Sequence, residues 1–198
     1  MKLYKVILVL VIASMFISAV PSIRNTYMLS NNYLVTIHGT SNLHNWDETV
    51  GIVSGAGIVD WNTDGSFDLT ALSMKLNVQS IKSTEGSIMN NNTYKALKAE
   101  TNPEISIILN SPIKSIQASV NETAIIASCN LTIAGVTKSV NMHVNVSAHD
   151  HAKLEFSGSQ IIHMTDYGID PPTALFGTLK TGNDLTINFK TTFTITNN

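Results

Sequence analysis

Along much of this chain apolar side chains recur at every second position, and the pattern is clearest over residues 123–147. Ile125, Ala127, Cys129, Leu131 and Ile133 keep one parity. After a short break Val140, Met142, Val144 and Val146 do the same against Asn141, His143 and Asn145. This is a strand period and not a helix period. Gly135 tolerates a positive φ, so residues 134–137 can reverse the chain between antiparallel partners. The resulting ribbon has one apolar and one polar face. It would be marginal alone, so other strands must cover the apolar face.

The same period supplies those strands. Tyr33, Val35 and Ile37 alternate with Leu34, Thr36 and His38, which predicts a first strand over residues 33–41 after a polar lead-in at 22–32. Residues 41–46 read as a turn. A second strand over 49–61 is weakened by Gly51, Gly55 and Gly57, which suggest a bulge or a sharp bend. Residues 62–66 turn the chain again, and a third strand follows over 67–78. Over 83–99 the alternation stops and helix formers gather, which predicts one or two helical turns ended by Asn102-Pro103. Strands resume with Ile105, Ile107 and Leu109, over 113–118, through the central ribbon, and over 153–163. Residues 166–172 form a proline-containing loop and 173–177 a single helical turn. The last strand carries Leu185, Ile187, Phe189, Phe193 and Ile195 on one parity. The expected fold is all-β, with about eight antiparallel strands and a short helical insertion near residues 83–99.

Composition narrows this picture. Lys2 and Lys5 precede an uncharged, largely apolar run over 6–20, and small residues follow, which is the layout of a secretory signal peptide over residues 1–22. Ala19 and Ser22 are the candidate cleavage positions. The expected mature domain is a single unit over 23–198, with ten basic and fourteen acidic residues once Lys2 and Lys5 are gone. It shows no basic face of the kind a nucleic-acid binder needs. Cys129 cannot form an internal disulfide and lies on the apolar parity, where it reads as a small buried hydrophobe.

Many strands with one apolar face can stack as a sandwich or close as a barrel. Glycines suited to curling, a helical insertion and few aromatics favour a soluble barrel over a membrane one, with no stable membrane insertion after signal cleavage. An eight-stranded soluble barrel has room inside for side chains or one small ligand.

Four motifs in register then resemble one family. The run from Asn130 to Val140, NLTIAGVTKSV, is similar to the hallmark hairpin of the YceI-like, polyisoprenoid-binding proteins. Ser41-Asn42-Leu43-His44-Asn45-Trp46, Asn102-Pro103-Glu104-Ile105 and Asp166-Tyr167-Gly168-Ile169 agree with it in order and spacing. The resemblance implies a lipocalin-like antiparallel barrel, periplasmic or secreted, holding an isoprenoid or other long apolar ligand in its interior. No catalytic residues, cofactor or metal carry over from the family. The expected lining residues are Val35, Ile37, Leu131, Phe156, Phe189 and Phe193, with Trp46 and Tyr167 near an opening. His38, His44 and Asp166 are the candidates for a polar mouth. The sequence departs from the family in lacking an arginine before Asp166 and in carrying Asn90, Asn91 and Asn92 in the helical insertion. Charge-assisted donors for a pyrophosphate are therefore scarce, and a neutral lipid or a quinone precursor is an equal alternative.

Two other readings stay open at this level. An enzyme acting on such a lipid would use His38, His44 or Asp166 as acid and base, and a barrel filled by its own side chains would be a structural, stress-related protein. His149 and His151 flank Asp150, but a metal needs three or four ligands converging at about 2.0–2.3 Å, and sequence shows no such convergence. The edges of an incompletely closed barrel would also leave room for a homodimer.

Overall fold

The computed structural model describes residues 23–196, so the expected signal peptide lies outside the described residues. The chain forms strands β1 (Ile23–Thr40), β2 (Asn45–Val50), β3 (Val53–Trp61), β4 (Ser66–Asn77) and β5 (Ile81–Ser83). Helix α1 (Ser87–Ala96) follows, then β6 (Glu104–Leu109), β7 (Ile113–Gln117), β8 (Thr123–Ile133), β9 (Val136–His149) and β10 (Lys153–His163). Two short strands, β11 (Thr173–Ala174) and β12 (Leu179–Lys180), pair with each other before the last strand, β13 (Asp184–Ile195).

Pairing runs β1–β3–β4–β6–β8–β9–β10–β13, and β13 returns to β1, which closes an eight-stranded antiparallel barrel. Three columns of the wall are interrupted. β2 pairs with Thr36–Thr40 of β1 and β3 with Ile23–Met28, so β2 and β3 form one column broken at Gly51-Ile52. β5 continues the column of β4, and β7 that of β6.

Residues 22–32 are therefore strand and not lead-in. The first half of β1 is held by β3 on one side and β13 on the other, and a register shift between Leu29 and Tyr33 breaks the alternation that would have marked it. The expected second strand divides into β2 and β3 at its first glycine. The insertion at 83–99 contains a ten-residue helix, longer than one or two turns, with no buried residue and hence no apolar stripe to announce it.

The β8–β9 ribbon is continuous in register from Thr123↔Val146 to Ile133↔Val136. Its two-residue loop has φ of +49° at Ala134 and +83° at Gly135, the backbone of a tight hairpin turn that matches strand twist. Asn102, of the Asn-Pro motif, rests on this turn: a Cβ on Gly135 would lie 2.9 Å from its Oδ1. Two of the sequence motifs thus meet in space.

One barrel end is plugged. The Trp61 indole donates to the Tyr27 hydroxyl at 3.0 Å, and Tyr27 donates to the His151 carbonyl at 2.5 Å. His151 stacks on Trp61 with ring centres 3.8 Å apart, while His149 turns to Glu155, so the two histidines serve different partners. Tyr27, Trp61, Phe67, Ile116 and Leu154 are all buried there. At the other end lie α1, the β8–β9 turn, the turn of 3-10 helix Met164–Tyr167 and the loop that carries β11 and β12.

Gly135→Ala is expected to destabilise the fold by about 1–2 kcal/mol, because a Cβ penalises the left-handed backbone and displaces Asn102. Urea denaturation, compared at equal m-value, checks this.

Candidate functional site

Alternation carries the inward parity of every wall strand to one interior. Val35 and Ile37 from β1, Trp46 from β2, Leu131 from β8, Phe156 from β10, and Phe189 and Phe193 from β13 all line a single continuous cavity of about 230 Å³. Cys129 lines it too, 2% exposed, and burial pushes its thiol pKa upward. Lining residues extend from Leu185 to Phe193 on β13 and from Ile125 to Ile133 on β8. That is roughly 26 Å along each strand, or about 20 Å along the axis at the usual barrel tilt. The cavity is long and narrow.

Glycines opposite aromatic rings set its width. Gly39 pairs with Trp46 across β1 and β2, and a Cβ on Gly39 would fall 2.1 Å from the Trp46 ring. Gly158 pairs with Phe189 across β10 and β13, where a Cβ would meet the ring at 2.7 Å. Each ring lies flat over a bare backbone, which leaves the centre of the barrel unfilled. The Trp46 indole also donates to the Thr40 carbonyl at 3.2 Å, which fixes its orientation.

Four expected residues stand elsewhere. Tyr167 is only 2% exposed and packs in a cluster with Leu131, Ile133, Ala134, Ile162, Met164 and Ile169 at the barrel end that carries the β8–β9 turn, but it does not itself line the cavity. His38 has the outward parity of β1 and bonds to Asp47, its cross-strand neighbour, on the outer surface. His44 sits in the exposed loop after β1, with Nδ1 2.7 Å from the Asn45 carbonyl and 3.4 Å from Glu85 Oε1. Asp166 is exposed on its 3-10 turn. None of these three lines the cavity: His38 points outward from its strand, His44 sits in a loop and Asp166 on a 3-10 turn.

The polar group that does face the interior is Glu48, which sequence reasoning missed. Starting the second strand at residue 49, after a turn over 41–46, left it outside any strand. In the structure β2 begins at Asn45, and Trp46, Glu48 and Val50 share the buried parity. Glu48 lines the cavity at 2% exposure. The Thr93 hydroxyl, reaching down from α1, donates to its Oε1 at 2.6 Å. Burial raises the Glu48 pKa; the Thr93 hydrogen bond opposes that rise, and the nearby charge of Glu85 adds to it.

Beside the cavity, a more polar cleft of about 350 Å³ lies between α1 and residues 168–173. Lys95, Lys98 and Asp170 line it, and Asn92, Ala96, Ile169, Pro172 and Thr173 border both spaces. The two spaces therefore adjoin between α1 and this loop. Among the described residues no group of three or more His, Cys, Asp or Glu side chains is placed to hold a metal.

A closed antiparallel wall, one plugged end and an apolar interior define a lipocalin-like barrel. The chain belongs to the YceI-like family, whose domain profile matches residues 34–193. A polyisoprenoid binding domain from Saccharophagus degradans, implicated in plant cell wall breakdown, superposes with a TM-score of 0.65 at 11% identity, covering 87% of this chain and 99% of that one. BcnA of Burkholderia cenocepacia gives 0.58 at 17% identity, over 81% and 95%. The Campylobacter jejuni YCEI protein gives 0.55 at 18%, over 76% and 85%. No curated protein sequence matches the chain. At these identities the likeness is one of fold.

A buried carboxyl with a raised pKa makes stability depend on pH. Below the unfolded-state value, near 4.5, both states hold the proton and nothing is lost. As pH rises through the higher folded-state pKa, the unfolded chain has already released its proton, so stability falls. Thermal melts of Glu48→Gln should show a flatter pH profile and a higher Tm than the parent at neutral pH.

Proposed function

We propose that the protein is exported and binds an isoprenoid-type or similar long apolar lipid inside its barrel, for carriage or sequestration. The observation that carries this reading is the long interior, lined almost wholly by hydrocarbon and closed at one end by Tyr27, Trp61 and Phe67. Burying apolar surface there contributes about 25 cal/mol per Å² removed from water, which rewards length in a ligand more than bulk. The cavity is smaller than the roughly 300–1,000 Å³ typical of sites for compact ligands. A single flexible chain suits it better. Membership of the YceI-like family and the likeness to a polyisoprenoid binding domain support the same class. The layout of residues 1–22 supports a periplasmic or secreted location.

Neither alternative has comparable support. None of His38, His44 and Asp166 lines the cavity, so they offer no acid–base pair to a lipid held inside it, and a barrel filled by its own side chains would leave no such interior. The pairing of β1 with β13 closes the long sheet edges, so a homodimer would have to use the short edges at β5 and β7 or another surface.

Native mass spectrometry of the protein purified from its own host should show a bound lipid, and the delipidated chain should take up isoprenoids. Ala127→Phe, which adds a ring to the inner wall on β8, should cut uptake by at least about tenfold while circular dichroism stays barrel-like. A protein that is empty from its host and refuses isoprenoids would end this proposal.

A further inference from the structure

The lining of the cavity contains one ionisable side chain apart from the Cys129 thiol, and that is Glu48. Its Oε1 accepts from Thr93, while Oε2 accepts no hydrogen bond from any described residue. No lysine, arginine or histidine among the described residues lines the cavity. Lys82, beside the Ser83 that pairs with Glu48, turns its ammonium to the Tyr94 hydroxyl at 2.5 Å. A carboxyl buried against hydrocarbon with one hydrogen bond and no cation opposes folding, and departures of this kind from local consistency concentrate at functional sites.

We infer that Glu48, steadied by Thr93, anchors the polar end of the ligand, and that this end is an uncharged hydroxyl: the barrel takes a long-chain alcohol and turns away the phosphate esters of the same chain. This deepens the lipid-binding reading and rests on it. A hydroxyl suits Glu48 in either protonation state. It donates to Oε2 of the carboxylate, and it accepts from the neutral acid, whose proton belongs on Oε2 because Oε1 already receives the Thr93 hydrogen bond. A phosphate would set further negative charge beside a carboxyl in a low-dielectric interior with no compensating cation. Lys95 does not alter this. It follows Thr93 by two residues, which turns it roughly 200° around α1, and it lines the outer cleft with Lys98. An ester whose head stayed in that cleft is the competing arrangement.

Farnesol, farnesyl phosphate and farnesyl diphosphate share one tail and separate these cases. Titrated calorimetrically into the delipidated chain, farnesol should bind at least about tenfold tighter than either ester. Glu48→Gln, neutral but still able to donate and accept, should keep farnesol within about threefold and bring the esters to within about threefold of it. Glu48→Leu should weaken farnesol by about tenfold. Equal or tighter binding of the esters by the parent protein would overturn the inference, as would ester binding that disappears in Lys95→Ala/Lys98→Ala. Should the Glu48 variants fail to fold, the parent's ratio of alcohol to ester decides alone. If none of the three compounds binds, the lipid-binding reading itself falls; binding without discrimination overturns only the assignment of Glu48.

Discussion

Everything in this molecule depends on β1 meeting β13. Their pairing runs from Tyr27↔Ile195 to His38↔Thr186 and turns an open sheet into a closed wall with no long unpaired edge between them. Closure then dictates facing. Once the wall is continuous, each strand has an inside and an outside, and a shift of one residue would reverse its whole apolar set. The eighteen residues of β1 make this possible, because the strand pairs with β13 along most of its length while offering its two halves to β3 and β2.

A closed wall of large apolar residues would ordinarily fill itself, since protein interiors pack like organic crystals. Here the rings are drawn aside. Trp46 lies on Gly39 and Phe189 on Gly158, so two of the largest side chains occupy the space that a neighbour's Cβ would have taken. The glycines that weaken strand propensity are thus what keeps the interior open, and the cost in local stability is a condition of having a cavity.

Much of the fold was legible because strands facing one core announce themselves by period. The apolar period is readable in β8, β9, β10 and β13, and six lining residues, Val35, Ile37, Leu131, Phe156, Phe189 and Phe193, were expected on the alternating apolar parity. The misses share a physical cause. The first half of β1 is fixed by partners on both sides and not by its own hydrophobicity, so its polar residues gave no signal. Helix α1 buries no residue fully, so no period exposed it. Glu48 obeys the alternation set by Trp46 and Val50, but its strand starts in a turn-like run and a carboxylate there reads as solvent-facing. Tyr167 was expected to border an opening, and its ring is buried in the cluster with Ile133 and Ala134 of the hairpin turn, a contact that only the tertiary structure reveals.

The plug of Tyr27, Trp61 and His151 carries a consequence for traffic. With that end sealed by stacked and hydrogen-bonded rings, the space that adjoins the interior lies at the other end, between α1 and residues 168–173. Whatever enters tail first must leave head first. On the lipid-binding reading proposed above, an acceptor outside would meet the polar end before the hydrocarbon, and hand-over would begin with the exchange of the hydrogen bond to Glu48 while the tail was still dry.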